Sequence, residues 1–167
     1  MFRLIRAFVC TLALTACLTT AVSAEQTLIA SEIRKAIEID FPLLKGRFSI
    51  EGPATPQYNC IAWSLGITAK WIWPGAAIED FDGLNRKHRY RRLARMNFDV
   101  RPGQEKIVLY GKIDKGVLVA THQARQMPDG TWTSKLGKMP LIRHQSPRDL
   151  NGTIYGRPVA VYMRPVR

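Results

Sequence analysis

The chain has 167 residues, 46% of them hydrophobic, with 25 Lys and Arg against 13 Asp and Glu and a formal net charge of +12. That length bounds the fold to one domain with a real core, and beyond the first residues no apolar run approaches the length that spans a bilayer. The charge favours anionic partners, among them cell-wall polymers, lipopolysaccharide, acidic proteins and nucleic acid.

At the N-terminus, Arg3 and Arg6 precede an apolar stretch from Ala7 to Leu14, and Val22-Ser23-Ala24 offers small residues for cleavage. Residues 1–24 therefore read as a secretory signal, with a periplasmic or secreted product. Leu14-Thr15-Ala16-Cys17 resembles a lipobox, so the alternative is a lipoprotein anchored to the membrane through Cys17. Soluble export is preferred because the chain stays apolar past Cys17. A single domain over 25–167 remains, in which the loss of Arg3 and Arg6 takes 25 basic residues to 23 against 13 acidic ones. Cys10 leaves with the leader and Cys17 is removed or lipidated, so Cys60 is an unpaired thiol in an oxidising compartment.

Ser31 to Ile39 reads as a short amphipathic helix, capped by Ser31 and closed by Pro42. Residues 45–58, with Gly46, Gly52, Pro53 and Pro56, read as an irregular approach loop. Asn59 is a good N-cap for a helix from Cys60 to about Lys70, with Ile61, Ala62, Leu65 and Ala69 on its buried face, and Trp71-Ile72-Trp73-Pro74-Gly75 ends it. A second helix is expected from Asp80 to about Met96. Its exposed side carries Arg86, Lys87, Arg89, Arg91, Arg92 and Arg95, as a solvated face or as an anchor for an anionic polymer. No RNA- or DNA-binding signature accompanies it, so nucleic acid is not an expected partner.

Strand patterns follow at Lys106 to Tyr110, Gly116 to Met127, Thr131 to Lys135, Leu141 to His144 and Ile154 to Met163, with Pro128-Asp129-Gly130 as a hairpin turn. In the second of these, Val117, Val119, Thr121 and Gln123 alternate with Leu118, Ala120, His122 and Ala124. Helices first and a strand meander afterwards predict an α+β domain with an antiparallel sheet.

A helix N-terminus stabilises a thiolate, and a neighbouring imidazole adds to this. Cys60 sits at such a position. Of the three histidines, His88 lies in the basic helix without a carboxylate to orient it. His122 lies on a strand, which holds an imidazole as rigidly as a general base requires. His144 ends a following strand and is able to orient His122, as is Ser134 or the region of Lys135. A metal site of Cys60, His122 and His144 is not expected, because their spacing matches no short ligand motif. Trp63, Trp71, Trp73 and Trp132 read as packing residues, with Trp73 beside Pro74-Gly75 able to line a groove. Lys135 reads as solvated in a tight turn, with contact to a substrate as the lesser alternative.

The fragments NCIAWSLG, WIWPG, THQARQMPDGTWTSKLG, IRH and YGRPVAVYMR together resemble a family of small bacterial proteins that look like papain-fold cysteine hydrolases of the NlpC and CHAP amidase type. The resemblance covers roughly residues 57 to 164. It implies a papain-like α+β fold, with N-terminal helices packed on an antiparallel β-sheet. It also implies Cys60 as nucleophile, His122 as base and His144 as orienting residue, with Ser134 as the alternative third residue. The Gln57 side chain and the Cys60 backbone are the candidate oxyanion donors, and no cofactor is implied. This chain departs from the better-known amidases in having Asn59-Cys60-Ile61-Ala62-Trp63 where those have Asp-Cys-Ser. Two functions follow as expectations. One is an exported cysteine hydrolase, an amidase acting on peptidoglycan peptide bonds or a protein substrate. The other is a non-catalytic cationic protein that binds an anionic polymer of the cell envelope.

Overall fold

The structure, a computed structural model, describes residues 26–166; the segment 1–24 expected to be a signal, with Cys10 and Cys17, lies outside them. The chain divides into two units, with the boundary between Asp40 and Phe41. In the first, a helix (α1) covers 26–40. Ser31 is therefore not its cap. The Ser31 hydroxyl donates back to the Leu28 carbonyl at 2.8 Å, one of the ways a mid-helix serine hides its polar group.

Among the described residues of the second unit, seven strands form one antiparallel sheet. They are β1 Phe48–Gly52, β2 Arg91–Arg92, β3 Gln104–Asp114, β4 Val117–Gln126, β5 Trp132–Lys135, β6 Leu141–His144 and β7 Arg157–Pro165, in the order β1-β6-β5-β4-β3-β7-β2. Two short helices, α2 Cys60–Ser64 and α3 Ile78–Lys87, precede most of the strands. This overturns the papain-like expectation. The molecule is mostly sheet with a few short helices, and no long helix carries Cys60 against it.

The shortening has a local cause. Asn59 caps α2 as expected, its side chain accepting from the Ala62 N–H at 3.1 Å. After one turn, however, Gly66 takes φ +80, with bonds from Gly66 N–H to the Trp63 carbonyl and from Ile67 N–H to the Ala62 carbonyl, both at 2.9 Å. This is a Schellman closure, and it ends the helix at Ser64 rather than at about Lys70. The same closure ends α3: the Arg89 N–H reaches the Arg86 carbonyl and the Tyr90 N–H reaches the Asn85 carbonyl, both at 2.9 Å, with Arg89 at φ +68. The expected basic helix thus becomes a helix end, a turn and a two-residue edge strand.

Residues paired directly across an antiparallel sheet share a face, and neighbours along a strand alternate. Ile107 pairs with Arg125 and Tyr162, and Leu109 with Gln123 and Ala160. This face packs on α2 and α3 through Ile61, Leu65, Ile78 and Phe81. Tyr110 and His122 pair on the opposite face. The simple alternation expected along β4 is broken at Thr121, where the pairing shifts so that Gly111 meets Ala120. A second shift lies on the other side of β3, where Leu109 pairs with Ala160 but Tyr110 with Pro158. Two bulges flanking one point of the central strand bend the sheet there.

The bend needs glycine. A Cβ at Gly111 would meet the Val119 carbonyl oxygen at 2.9 Å, and one at Gly156, φ +74, would sit 2.0 Å from the Gly111 carbonyl oxygen. Gly137 also has positive φ, +59, but faces open space. Gly137→Ala is accordingly expected to cost about 1 kcal/mol for backbone strain alone, and Gly156→Ala about 3 kcal/mol or more. Chemical denaturation of both variants checks this, and equal costs would contradict the close approach at the bend.

Candidate functional site

Cys60 opens α2 and is 5% exposed. Its helix end is clamped by Asn59, whose amide oxygen also accepts from the Ile72 N–H at 3.2 Å while its NH2 donates to the Ile72 carbonyl at 2.8 Å. Burial pushes the Cys60 thiol up to about 11, against smaller opposing effects from the Gln123 backbone, the first N–H groups of α2 and the Lys135 charge. A thiol in this state is protonated at neutral pH and is a poor nucleophile.

The structure does not bring His122 to it. The α2 helix lies on the face of Gln123, whose side-chain oxygen accepts from the Ser64 hydroxyl at 2.7 Å. His122, the next residue along β4, projects from the other face, stacked on Tyr155 with ring centroids 4.0 Å apart and tilted against Tyr110 at 5.4 Å. Neither ring nitrogen has a hydrogen-bond partner, and the ring is fully buried. Cys60 and His122 are therefore not the nucleophile and base of one site. The sheet separates the elements that carry them.

Ser134 and His144 are brought together, on the His122 face. The Ser134 hydroxyl lies 3.0 Å from His144 Nε2, and His144 Nδ1 lies 2.8 Å from the Ser146 carbonyl. A carbonyl accepts, so Nδ1 carries the proton and Nε2 accepts from Ser134. Ser134 and His144 are both buried, so this pair fixes the β5–β6 packing rather than meeting a substrate. Gln57 is exposed, and its N–H bonds to Thr55 Oγ1 at 3.1 Å. Lys135 is buried rather than solvated. Its Nζ donates to the carbonyls of Thr55, Gly137 and Met139 at 3.0, 2.6 and 2.5 Å, which uses all three of its donors. Trp73 is half exposed and packs edge-on to Phe81. Among the described residues, no three His, Cys, Asp or Glu side chains gather as metal ligands.

A concave surface lies elsewhere, where the end of α3, β2 and the end of β7 meet. Three adjoining hollows of about 650, 480 and 390 Å³ are lined by Arg86, Arg89 and Arg91, joined by Lys87, Arg92 and Arg164. Tyr90 anchors this corner from below. Its ring is buried, the Arg164 guanidinium lies 4.4 Å from the ring centre, and its hydroxyl donates to Glu105 at 3.3 Å. Burial would raise the Glu105 carboxyl, but hydrogen bonds and charge from Arg164 and Arg125 hold it below the usual range. Arg92 pairs with Asp82 at 3.2 Å, and Asp82 also accepts from the Tyr162 hydroxyl at 2.7 Å. Arg86, Arg89 and Arg91 have no acidic partner among the described residues. The run of basic residues was visible in the sequence, but Arg164, Glu105 and Gln104, which join it from β3 and β7, carry no local signal.

Residues 49–163 match the family described as a domain of unknown function, DUF7689, and the chain belongs to it. No curated protein and no solved structure matches the chain. No helix among the described residues is long and apolar enough to cross a membrane.

The buried histidines set a pH dependence. Burial draws His144 down to about 4, against smaller opposing effects of the Ser146 carbonyl and Asp149, and draws His122 well below its usual range, with the His144 charge adding to it. Both rings are neutral in the folded protein, whereas unfolded imidazoles take up protons from about pH 6.5. The unfolded chain then binds more protons, so stability is complete above about pH 6.5 and falls as the pH drops toward 4. His144→Gln is expected to reduce the total loss between about pH 7 and pH 4 by roughly 3 kcal/mol, and so to lower the slope of unfolding free energy against pH, measured by denaturation at a series of pH values. An unchanged slope would contradict a neutral His144.

Proposed function

We propose that the protein is a non-catalytic cationic binding module of the cell envelope, holding an anionic polymer at the corner formed by α3, β2 and β7. The observation that carries this reading is the set of three guanidiniums without an acidic partner among the described residues, those of Arg86, Arg89 and Arg91, around one hollow of about 650 Å³ whose described lining holds no acidic residue. Arg92, by contrast, is paired with Asp82, and Arg164 shares Glu105 with Arg125. Like charges held together without counter-charge repel, and an anion arriving there relieves that repulsion as well as making its own contacts.

The signal-like leader supports export, and anionic polymers are the partners most available to an exported basic protein. The hydrolase reading loses its support at Cys60, because it required a thiolate and a base on one site. Binding to an anionic cell-wall polymer, followed by titration calorimetry, is expected to weaken about tenfold or more between about 50 and 200 mM salt. Cys60→Ala is expected to bind as the parent does. Binding that ignores salt, or that vanishes with the thiol, would overturn the proposal.

A further inference from the structure

Resting on the reading just given, we infer that the corner is a phosphoryl-binding site, with Arg89 as its central clamp and a phosphate-bearing polymer as its ligand. Two independent observations carry this. The first is conformational. The α2 and α3 helices end in the same Schellman closure, but the left-handed position is Gly66 in one and Arg89 in the other, at φ +80 and +68. Glycine takes that conformation freely, while a residue with a Cβ is strained there. An arginine in that place is a cost to the fold with no compensating ion pair, since Arg89 is exposed and has no acidic partner among the described residues. Strain held at one residue of a concave, charged corner is the pattern of a functional position. The left-handed turn sends the Arg89 side chain to the wall shared by the two larger hollows, where it lies between Arg86 and Arg91 on one side and Lys87 on the other.

The second observation is the number of donors. Three guanidiniums bring far more N–H donors to the largest hollow than the two oxygens of a planar carboxylate accept. In a phosphate chain each phosphorus sets two non-bridging oxygens tetrahedrally beside two bridging ones, with a third terminal oxygen at the chain end, and guanidinium forks match such oxygens in pairs. A phosphodiester or polyphosphate chain also presents successive charges to the adjoining hollows, whereas free phosphate fills one.

The test uses the exported domain, long-chain inorganic polyphosphate, and polyglutamate of matched charge. Arg89→Gly removes both the strain and the fork. It is expected to raise the Tm by a few degrees while weakening polyphosphate binding about tenfold. Arg47→Ala, an equal loss of charge beside β1 at the opposite edge of the sheet, is expected to change binding by no more than about twofold. Polyglutamate is expected to bind at least about tenfold more weakly than polyphosphate in the parent protein. Inorganic phosphate is expected to displace polyphosphate only in large excess. Polyglutamate binding as tightly, with the same loss in Arg89→Gly, would remove the phosphoryl assignment and leave the cationic module standing. Equal losses in Arg89→Gly and Arg47→Ala would remove the site. Displacement by inorganic phosphate at equal phosphorus would replace the polymer by the free anion. Failure to bind either polymer would remove the proposed function itself.

Discussion

The pairing of β3 with β4 on one side and β7 on the other is the constraint on which the rest of this molecule depends. It runs over most of an eleven-residue strand and fixes which side chains leave which face. Leu109, Gln123 and Ala160 turn toward α2 and α3, and Tyr110 and His122 turn away. A slip of one residue would exchange the two sets, which the apolar layer under the helices forbids. The bulges beside Gly111 adjust this pattern locally without undoing it.

Each face buries polar groups under this constraint, and their chemistry follows from how they are satisfied. Lys135, on the helical face, keeps three carbonyl partners and so retains its hydrogen bonds inside the fold. Lys106 does the same with Asn97 and Asp99. Burying an ammonium is tolerable on those terms. His144 is satisfied as a neutral ring between Ser134 and Ser146, and His122 is held by aromatic stacking alone. Groups that are buried and engaged in this way serve the packing. Arg86, Arg89 and Arg91 at the α3–β2 corner are the contrasting set, exposed and without acidic partners among the described residues.

Much of the sheet was legible in the sequence. Leu141 to His144 is a strand over the expected residues, and Trp132–Lys135 and Val117–Gln126 each fall within a residue or two of expectation. Their alternation and the Pro128-Asp129-Gly130 turn are local signals. What was illegible depends on distant partners or on backbone that overrides propensity. Phe48–Gly52 looks like loop because glycine and proline surround it, and it becomes a strand by pairing with Leu141–His144. Arg91–Arg92 looks helical because it continues a charged, helix-favouring run, yet Arg89 turns the chain and Arg91 pairs with Met163. Cys60 was placed correctly at a capped helix start, but a cap says nothing of the face on which His122, far along the chain, will emerge. The resemblance to papain-like hydrolases supplied that pairing, and the register of β4 does not.

The account therefore turns on the electrostatic state of one thiol. Ultraviolet titration of the Cys60 thiolate, in the parent protein and in His122→Gln, tests it directly. The account predicts a thiol that ionises near 11 in both proteins. A thiolate present at neutral pH in the parent and lost in His122→Gln would contradict it, and would return Cys60 and His122 to a single site.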